Sequence, residues 1–270
     1  LKVYISVDGE GISGFVQGQP DSQEDIMMAR RFTTKDVNAA IEGALEAGAD
    51  EIVVSDSHGS CRNFLIEELR EEAEVISGRP RQLLQMEGID ESFDAVFFIG
   101  YHSKKGTLRG VWDHTITSIL MDVRVNGISL GETGINAGIA GHFGVPVVLV
   151  TGDDALAREA KALLGNVETV VVKEGISRYA AKLVHPAKAR AMIKKAAEKS
   201  LKNLSSYKPL RFETPMTLEV SFWMSSMADR VQVIPGFERV DGLTVRFKAE
   251  DFLTIFRGIM AAYYIAGTIR

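Results

Sequence analysis

The sequence predicts an α/β protein of three layers. Helices cover both faces of a mixed, mostly parallel sheet, and a small α+β lobe follows at the C-terminal end. Three observations carry this expectation. Short runs rich in Val, Ile and Phe recur along the chain without polar alternation, as strands buried on both faces do. Between them lie segments whose apolar residues fall at helical spacing. The chain has 270 residues, enough to bury a full core.

The strand-like runs are VYISV before Asp8, EIVVSD before Ser57 and His58, DAVFFIGY before His102, PVVLVTGDD over 146–154 and ETVVVKEG over 168–175. The first helix is expected across TTKDVNAAIEGALEAGAD, where Val37, Ala40, Ile41, Ala44 and Leu45 share one face and Gly48 marks a stop. DALAREAKALLG, from Asp154 to Gly165, repeats that design. In DVRVNGISLGE the pair Asn126-Gly127 sits between alternating residues, a hairpin signal because a type I′ turn needs positive φ at both central positions. The hairpin makes the sheet mixed.

PAKARAMIKKAAEKSLKNL predicts a long helix, and SSYKP after it a boundary. Residues 1–205 are therefore expected to form the catalytic, metal-binding α/β domain, and 206–270 the C-terminal lobe. In that lobe TLEVSF, RVQVI and LTVRF read as strands, and DFLTIFRGIMAAYYIAG as a closing helix.

Composition narrows the function classes. A formal net charge of −5 gives no basic footprint for nucleic acid. No run approaches the roughly 18 apolar residues that span a bilayer, and Lys2 leads directly into a strand rather than a leader segment. The expectation is a cytoplasmic protein with neither nucleic-acid nor membrane partners. Cys61 is the only cysteine, so thiolate zinc clusters and intramolecular disulfides are excluded and any metal must be held by His, Asp and Glu.

Asp8 and Glu10 follow the first strand two residues apart and project together. Adjacent carboxylates repel, so a shared proton, a basic partner or a cation must balance them. His58, His102 and His114 fall at or just after strand ends, and ligands in open α/β sheets gather at the carboxy ends of strands. If the first three of these strands are neighbours, Asp8, Glu10, His58 and His102 converge on one rim, with Glu132 in GETG a further donor. Imidazoles with carboxylates and no thiol suit zinc, with manganese or cobalt as alternatives, and suit calcium poorly. Five such donors exceed one closed site and point to two metals with a bridging carboxylate. Such a pair can polarise a carbonyl and activate water near neutral pH.

Bland readings stand beside these. A carboxylate pair after a strand also serves as a turn or helix cap. Glu132 is equally placed to be the first residue of a helix over GINAGIAGHFG. His142 and His185 have no partner nearby in sequence and read as structural. The glycines at 9, 11 and 14 lack dinucleotide-fingerprint spacing.

Taken in order, SVDGEG, SDSHG, GYHSKKG, the His of WDHT, GETGINAG and VPVVLVTGDD resemble the D-aminopeptidase (DppA) family, peptidase family M55. The likeness runs across nearly the whole chain, including ISR before the long helix and the IPG of the C-terminal lobe. The resemblance implies a two-zinc aminopeptidase that removes N-terminal D-amino acids such as D-Ala from short peptides or amides. It implies Asp8, Glu10, His58, His102 and Glu132 as metal ligands with Asp8 bridging, and His114 as the catalytic residue, a base or transition-state donor. It also implies a ring-like homodecamer whose channel admits only small peptides. The stretch QGQPDSQEDIMMARRF matches no fixed family pattern and is expected to line the approach to the site. Arg30 and Arg31 within it read as a solvated helix start, with a substrate-carboxylate contact as the alternative. Two other classes remain: a different metal-dependent amidohydrolase or esterase on the same site, and a non-catalytic peptide-binding protein whose metals only hold the fold.

Overall fold

The computed structural model describes residues 1–16 and 22–268. Twelve strands are distributed between two sheets. The main sheet uses β1 (Lys2–Val7), β2 (Glu51–Asp56), β3 (Ala73–Ile76) and β4 (Ala95–Ile99). The next two strands, β5 (Leu120–Val125) and β6 (Ile128–Ser129), belong to the second sheet, and β7 (Val147–Asp153), β8 (Glu168–Ser177) and β9 (Ala180–Leu183) complete the first. The spatial order is β3-β2-β1-β4-β7-β8-β9, with β9 alone antiparallel. The second sheet is antiparallel, in the order β11-β12-β10-β5-β6, with β10 (Met216–Phe222), β11 (Glu238–Arg239) and β12 (Thr244–Ala249).

Among the described residues there are six α-helices: α1 (Gln23–Glu46), α2 (Glu132–His142), α3 (Asp154–Leu164), α4 (Pro186–Lys202), α5 (Ser225–Val231) and α6 (Phe252–Ala266). Strand periodicity explains the layers. In β1, Val3, Ile5 and Val7 face one way and pack with Val37, Ile41 and Ala44 of α1 and Ile193 and Ala197 of α4. Tyr4, with Val96 and Phe98 of β4, faces the other way into a second core shared with α2, β5, β10 and α6. The expected α/β/α layering with a mixed, mostly parallel sheet is the fold.

Three expectations change in detail. The Asn126-Gly127 hairpin forms with positive φ at both residues, but it pairs with β10 through Val123↔Val220 and belongs to the second sheet. The main sheet is mixed because β9 turns back on β8 instead. RVQVI is not a strand: Met227, Ala228 and Val231 are buried at helical spacing, and Val233 is exposed beyond the end of α5. The first helix also begins ten residues earlier than Thr33, capped by Ser22 accepting from the Asp25 N–H. None of the helices in the described residues is long and apolar enough to cross a membrane.

Candidate metal centre

The strand order puts β1 between β2 and β4, and their registers align Val7 with Asp56 and with Ile99. The chain leaves all three strands at one level, so Asp8, His58 and His102, one to three residues further on, converge on that rim. Close backbone approach maintains it. The Asp8 N–H donates to Ile99 O at 2.8 Å and the Gly11 N–H to Gly100 O at 2.8 Å. A Cβ on Gly11 would lie 1.9 Å from Tyr101 O, which only glycine avoids. Glu132 arrives from the opposite side as the first residue of α2.

All six residues singled out by sequence meet here. His58 Nε2 lies 3.4 Å from Glu10 Oε1, while His102 Nε2 lies 3.4 Å from Asp8 Oδ2 and 3.2 Å from Glu132 Oε1. His114 Nε2 is 3.6 Å from Glu132 Oε1 and 3.9 Å from Glu10 Oε1. Asp8, Glu10, His102 and Glu132 are buried, and the two remaining imidazoles open toward a cavity. Ligand atoms within 4.8 Å of one another define three groups: Asp8-Glu10-His58, Asp8-His102-Glu132 and Glu10-His102-His114. His142 is exposed at the end of α2, and His185 caps α4 by accepting from the Ala187 N–H. Neither approaches the cluster.

Three buried carboxylates at these distances need compensation. Burial, with Glu10 and Glu132 nearby, pushes Asp8 well above the ordinary carboxylate range. Burial alone would lower His58, yet Glu10 and Asp8 lift it to about 10. Burial and then the neighbouring His102 push His114 down. Divalent cations held by these groups would supply that compensation. Asp8 Oδ2, Glu10 Oε2 and His102 Nε2 are buried with no hydrogen-bond partner among the described residues. Orphaned acceptors pointing inward, from an oxygen and nitrogen donor set, fit divalent zinc.

The supporting contacts are of the kind that orients metal ligands. His102 Nδ1 lies 3.0 Å from Ser103 O and His114 Nδ1 lies 2.7 Å from Trp112 O. A carbonyl only accepts, so each ring carries its proton on Nδ1 and turns the Nε2 lone pair to the cluster. Gln85 donates through Nε2 to Glu132 Oε2 at 2.7 Å, and its Oε1 accepts from Asn136 at 2.6 Å. Asn136 also donates to the Tyr101 hydroxyl, which pairs with Ser6. Lys173 is wholly buried and donates from Nζ to Glu10 O and Phe15 O, tying down the loop that carries Glu10. Burial lowers this lysine to about 8, against the pull of Asp153 and Asp36.

The His114 loop is braced from four directions. The Val111 N–H donates to Asp153 Oδ2 and the Trp112 N–H to Arg178 O. Arg178 donates to Asp113, and the Ile116 N–H donates to Glu132 Oε1 at 2.7 Å. Trp112 and Ile116 hold φ of 53° and 60°, unusual for bulky side chains and costly unless the surroundings enforce it. A cavity of about 770 Å³ opens over the cluster, walled by Trp112, Tyr263, Tyr264 and three arginines. Of the stretch expected to line the approach, residues 17–21 lie outside the described residues, while Ile26, Ala29 and Arg30 bound a small hollow of about 50 Å³ that Asp8 and His58 also line. Arg30 donates to Phe64 O and Arg31 is exposed on α1.

Sequence reasoning missed Gln85, Lys173 and the Trp112 carbonyl. Lys173 left a signal, a lone cation inside the apolar run VVVKEG. Gln85 sits in a loop without any pattern and left none.

A parallel-sheet rim carrying a buried oxygen and nitrogen donor cluster under a water-accessible cavity defines a metal-dependent hydrolase. A family model described as D-aminopeptidase, peptidase family M55, matches residues 1–261, and the chain belongs to that family. It is 35% identical to a D-aminopeptidase of Bacillus subtilis (strain 168) over 269 residues, covering 98% of each chain. Among solved structures it resembles the Zn-dependent D-aminopeptidase DppA from Bacillus subtilis, described as a self-compartmentalizing protease. That match has a TM-score of 0.93 at 33% identity, over 99% of this chain and 98% of the other.

Proposed function

We propose that this protein is a zinc-dependent D-aminopeptidase that removes N-terminal D-amino acids from short peptides or amides. The observation that carries the metal assignment is the double membership of Asp8, which belongs both to the Asp8-Glu10-His58 group and to the Asp8-His102-Glu132 group. Two zinc ions per subunit would be held by these groups, with Asp8 between them. Zinc bound there supplies Lewis-acid polarisation of the scissile carbonyl and lowers the pKa of water.

The chain's own residues do the rest. His114, fixed through Nδ1 by the Trp112 carbonyl, keeps an Nε2 lone pair over the cluster. There it accepts a proton from the attacking water and returns it to the leaving amine, or donates to the tetrahedral oxyanion. Gln85 holds Glu132, Lys173 holds the Glu10 loop, and the braced 111–116 loop limits motion of His114. The preference for D-residues is supported by family membership, and assembly into a homo-oligomer, read here as a decameric ring, by the description of the solved relative as a self-compartmentalizing protease. We also propose residence in the cytoplasm.

The test is zinc content measured with hydrolysis of matched D-Ala and L-Ala amides, dipeptides and esters. Zinc bound by the wild type, lost in Asp8→Ala, with a clear D-preference on amides and peptides, is the expected result. Preference for L-substrates or esters overturns the assignment, as does hydrolysis without metal.

A further inference from the structure

The cavity above the cluster has two electrostatic ends. Its acidic lining is confined to Asp8, Glu10 and Glu132, the residues assigned to metal. Every other charged side chain lining it is an arginine: Arg79, Arg81 and Arg178. Two divalent cations would outweigh the three carboxylates, so the loaded cavity is positive throughout and suits an anionic ligand.

The three arginines are not equivalent. Arg81 uses its guanidinium on the carbonyls of Gly78 and Ile76 and on Ser55 Oγ, at 2.9 Å for the last two. Arg178 is committed to Asp113 and to the Tyr179 hydroxyl, and lies 5.5 Å from the centre of the Trp112 ring. Arg79 is exposed, and among the described residues it has neither an ion-pair nor a hydrogen-bond partner. It lines the same cavity as Arg81, and among the described residues its five N–H donors have no partner. An aminopeptidase substrate places its amine and scissile carbonyl at the metals, so the chain's far end extends across the cavity. In a dipeptide or tripeptide that end is a carboxylate, the planar anion a guanidinium binds in bidentate fashion.

We propose that Arg79 binds the C-terminal carboxylate of the substrate, making the cavity selective for short peptides with a free carboxyl end over the corresponding amides. This rests on the aminopeptidase reading only for the direction in which the peptide lies. Arg79, Arg81 and Cys61 line the same cavity as the cluster.

The experiment uses zinc-loaded protein and the Arg79→Gln variant. Calorimetry measures binding of D-Ala-D-Ala with its peptide bond reduced to CH2–NH, once as the free acid and once as the carboxamide. The wild type is expected to bind the acid roughly tenfold or more tightly, as a charge-assisted bond implies. R79Q should abolish that difference while leaving carboxamide affinity, zinc content and Tm unchanged. In turnover, R79Q should raise KM for D-Ala-D-Ala about tenfold and leave D-Ala amide unaffected. Equal acid and amide binding by the wild type, or an R79Q effect common to both ligands, overturns the proposal. If the wild type cleaves no D-substrate, the aminopeptidase reading fails separately, and the acid-to-amide binding ratio still decides the role of Arg79.

Discussion

The imidazoles of His102 and His114 lie face to face, 4.0 Å between centroids and 9° from parallel. Each ring is tied through Nδ1 to a backbone carbonyl, so both present Nε2 to Glu132, with Asp8 beside His102 and Glu10 beside His114. They differ in burial: His102 is enclosed, whereas His114 borders the cavity where substrate enters. On the proposed assignment His102 is a metal ligand and His114, at the cavity, is the group that moves a proton. His114→Ala should keep its zinc and lose turnover by about 10²–10⁴-fold, the usual range for a general acid or base. Metal analysis alongside kcat checks this, and loss of zinc would make His114 a ligand.

Gln85 reaches the cluster through a hydrogen bond to Glu132. Gln85→Leu removes the 2.7 Å bond to Glu132 Oε2 and leaves the Asn136 amide with the Tyr101 hydroxyl as its one remaining acceptor among the described residues. Zinc affinity, read by chelator competition, should fall about 10–100-fold, as for other residues that orient a metal ligand. Unchanged affinity would reduce Gln85 to packing.

Lys173 fixes the Glu10 loop from inside the sheet. Lys173→Met leaves the carbonyls of Glu10 and Phe15 buried without their donor. Denaturant unfolding should show a loss of about 1–3 kcal/mol. Zinc should also be bound more weakly than in a core variant of equal stability loss remote from the site, such as Ile193→Ala.

Asp36 gives a pH signature away from the metals. It accepts from Ser13 N–H and Oγ at 2.7 Å and from Arg190 Nε at 3.1 Å, but burial outweighs these and raises its pKa above the ordinary 3.8. The folded state therefore holds this proton more tightly than the unfolded state. The associated stabilisation is complete below the unfolded pKa and is lost as pH rises through the folded one. Relative to Asp36→Asn, the wild type should lose stability as pH rises from about 4 toward neutrality. A stability difference independent of pH across that range contradicts the shift.

The sequence by itself determined much of this protein. Apolar runs without alternation specify strands buried on both faces, and the residues just after them fall at the carboxy rim wherever those strands are neighbours. That is why Asp8, Glu10, His58 and His102 are legible as one group with Glu132 as a further donor, while the catalytic place of His114 is what the family resemblance implies. What only the tertiary structure decided depends on partners distant in the chain. The Asn126-Gly127 turn specifies a hairpin, but strand pairing chose the second sheet because Val123 and Val125 complete a core with Val220 and Leu218. RVQVI is short enough to fit either period, and the helical burial of Met227 and Val231 settled it. Gly9 and Gly11 look like turn residues, yet neither adopts positive φ; they are small because the His58 ring and the Tyr101 carbonyl approach within the space of a Cβ. Gln85 and Lys173 reach the site across 47 and 163 positions of sequence, and no local pattern encodes a hydrogen bond made at that separation.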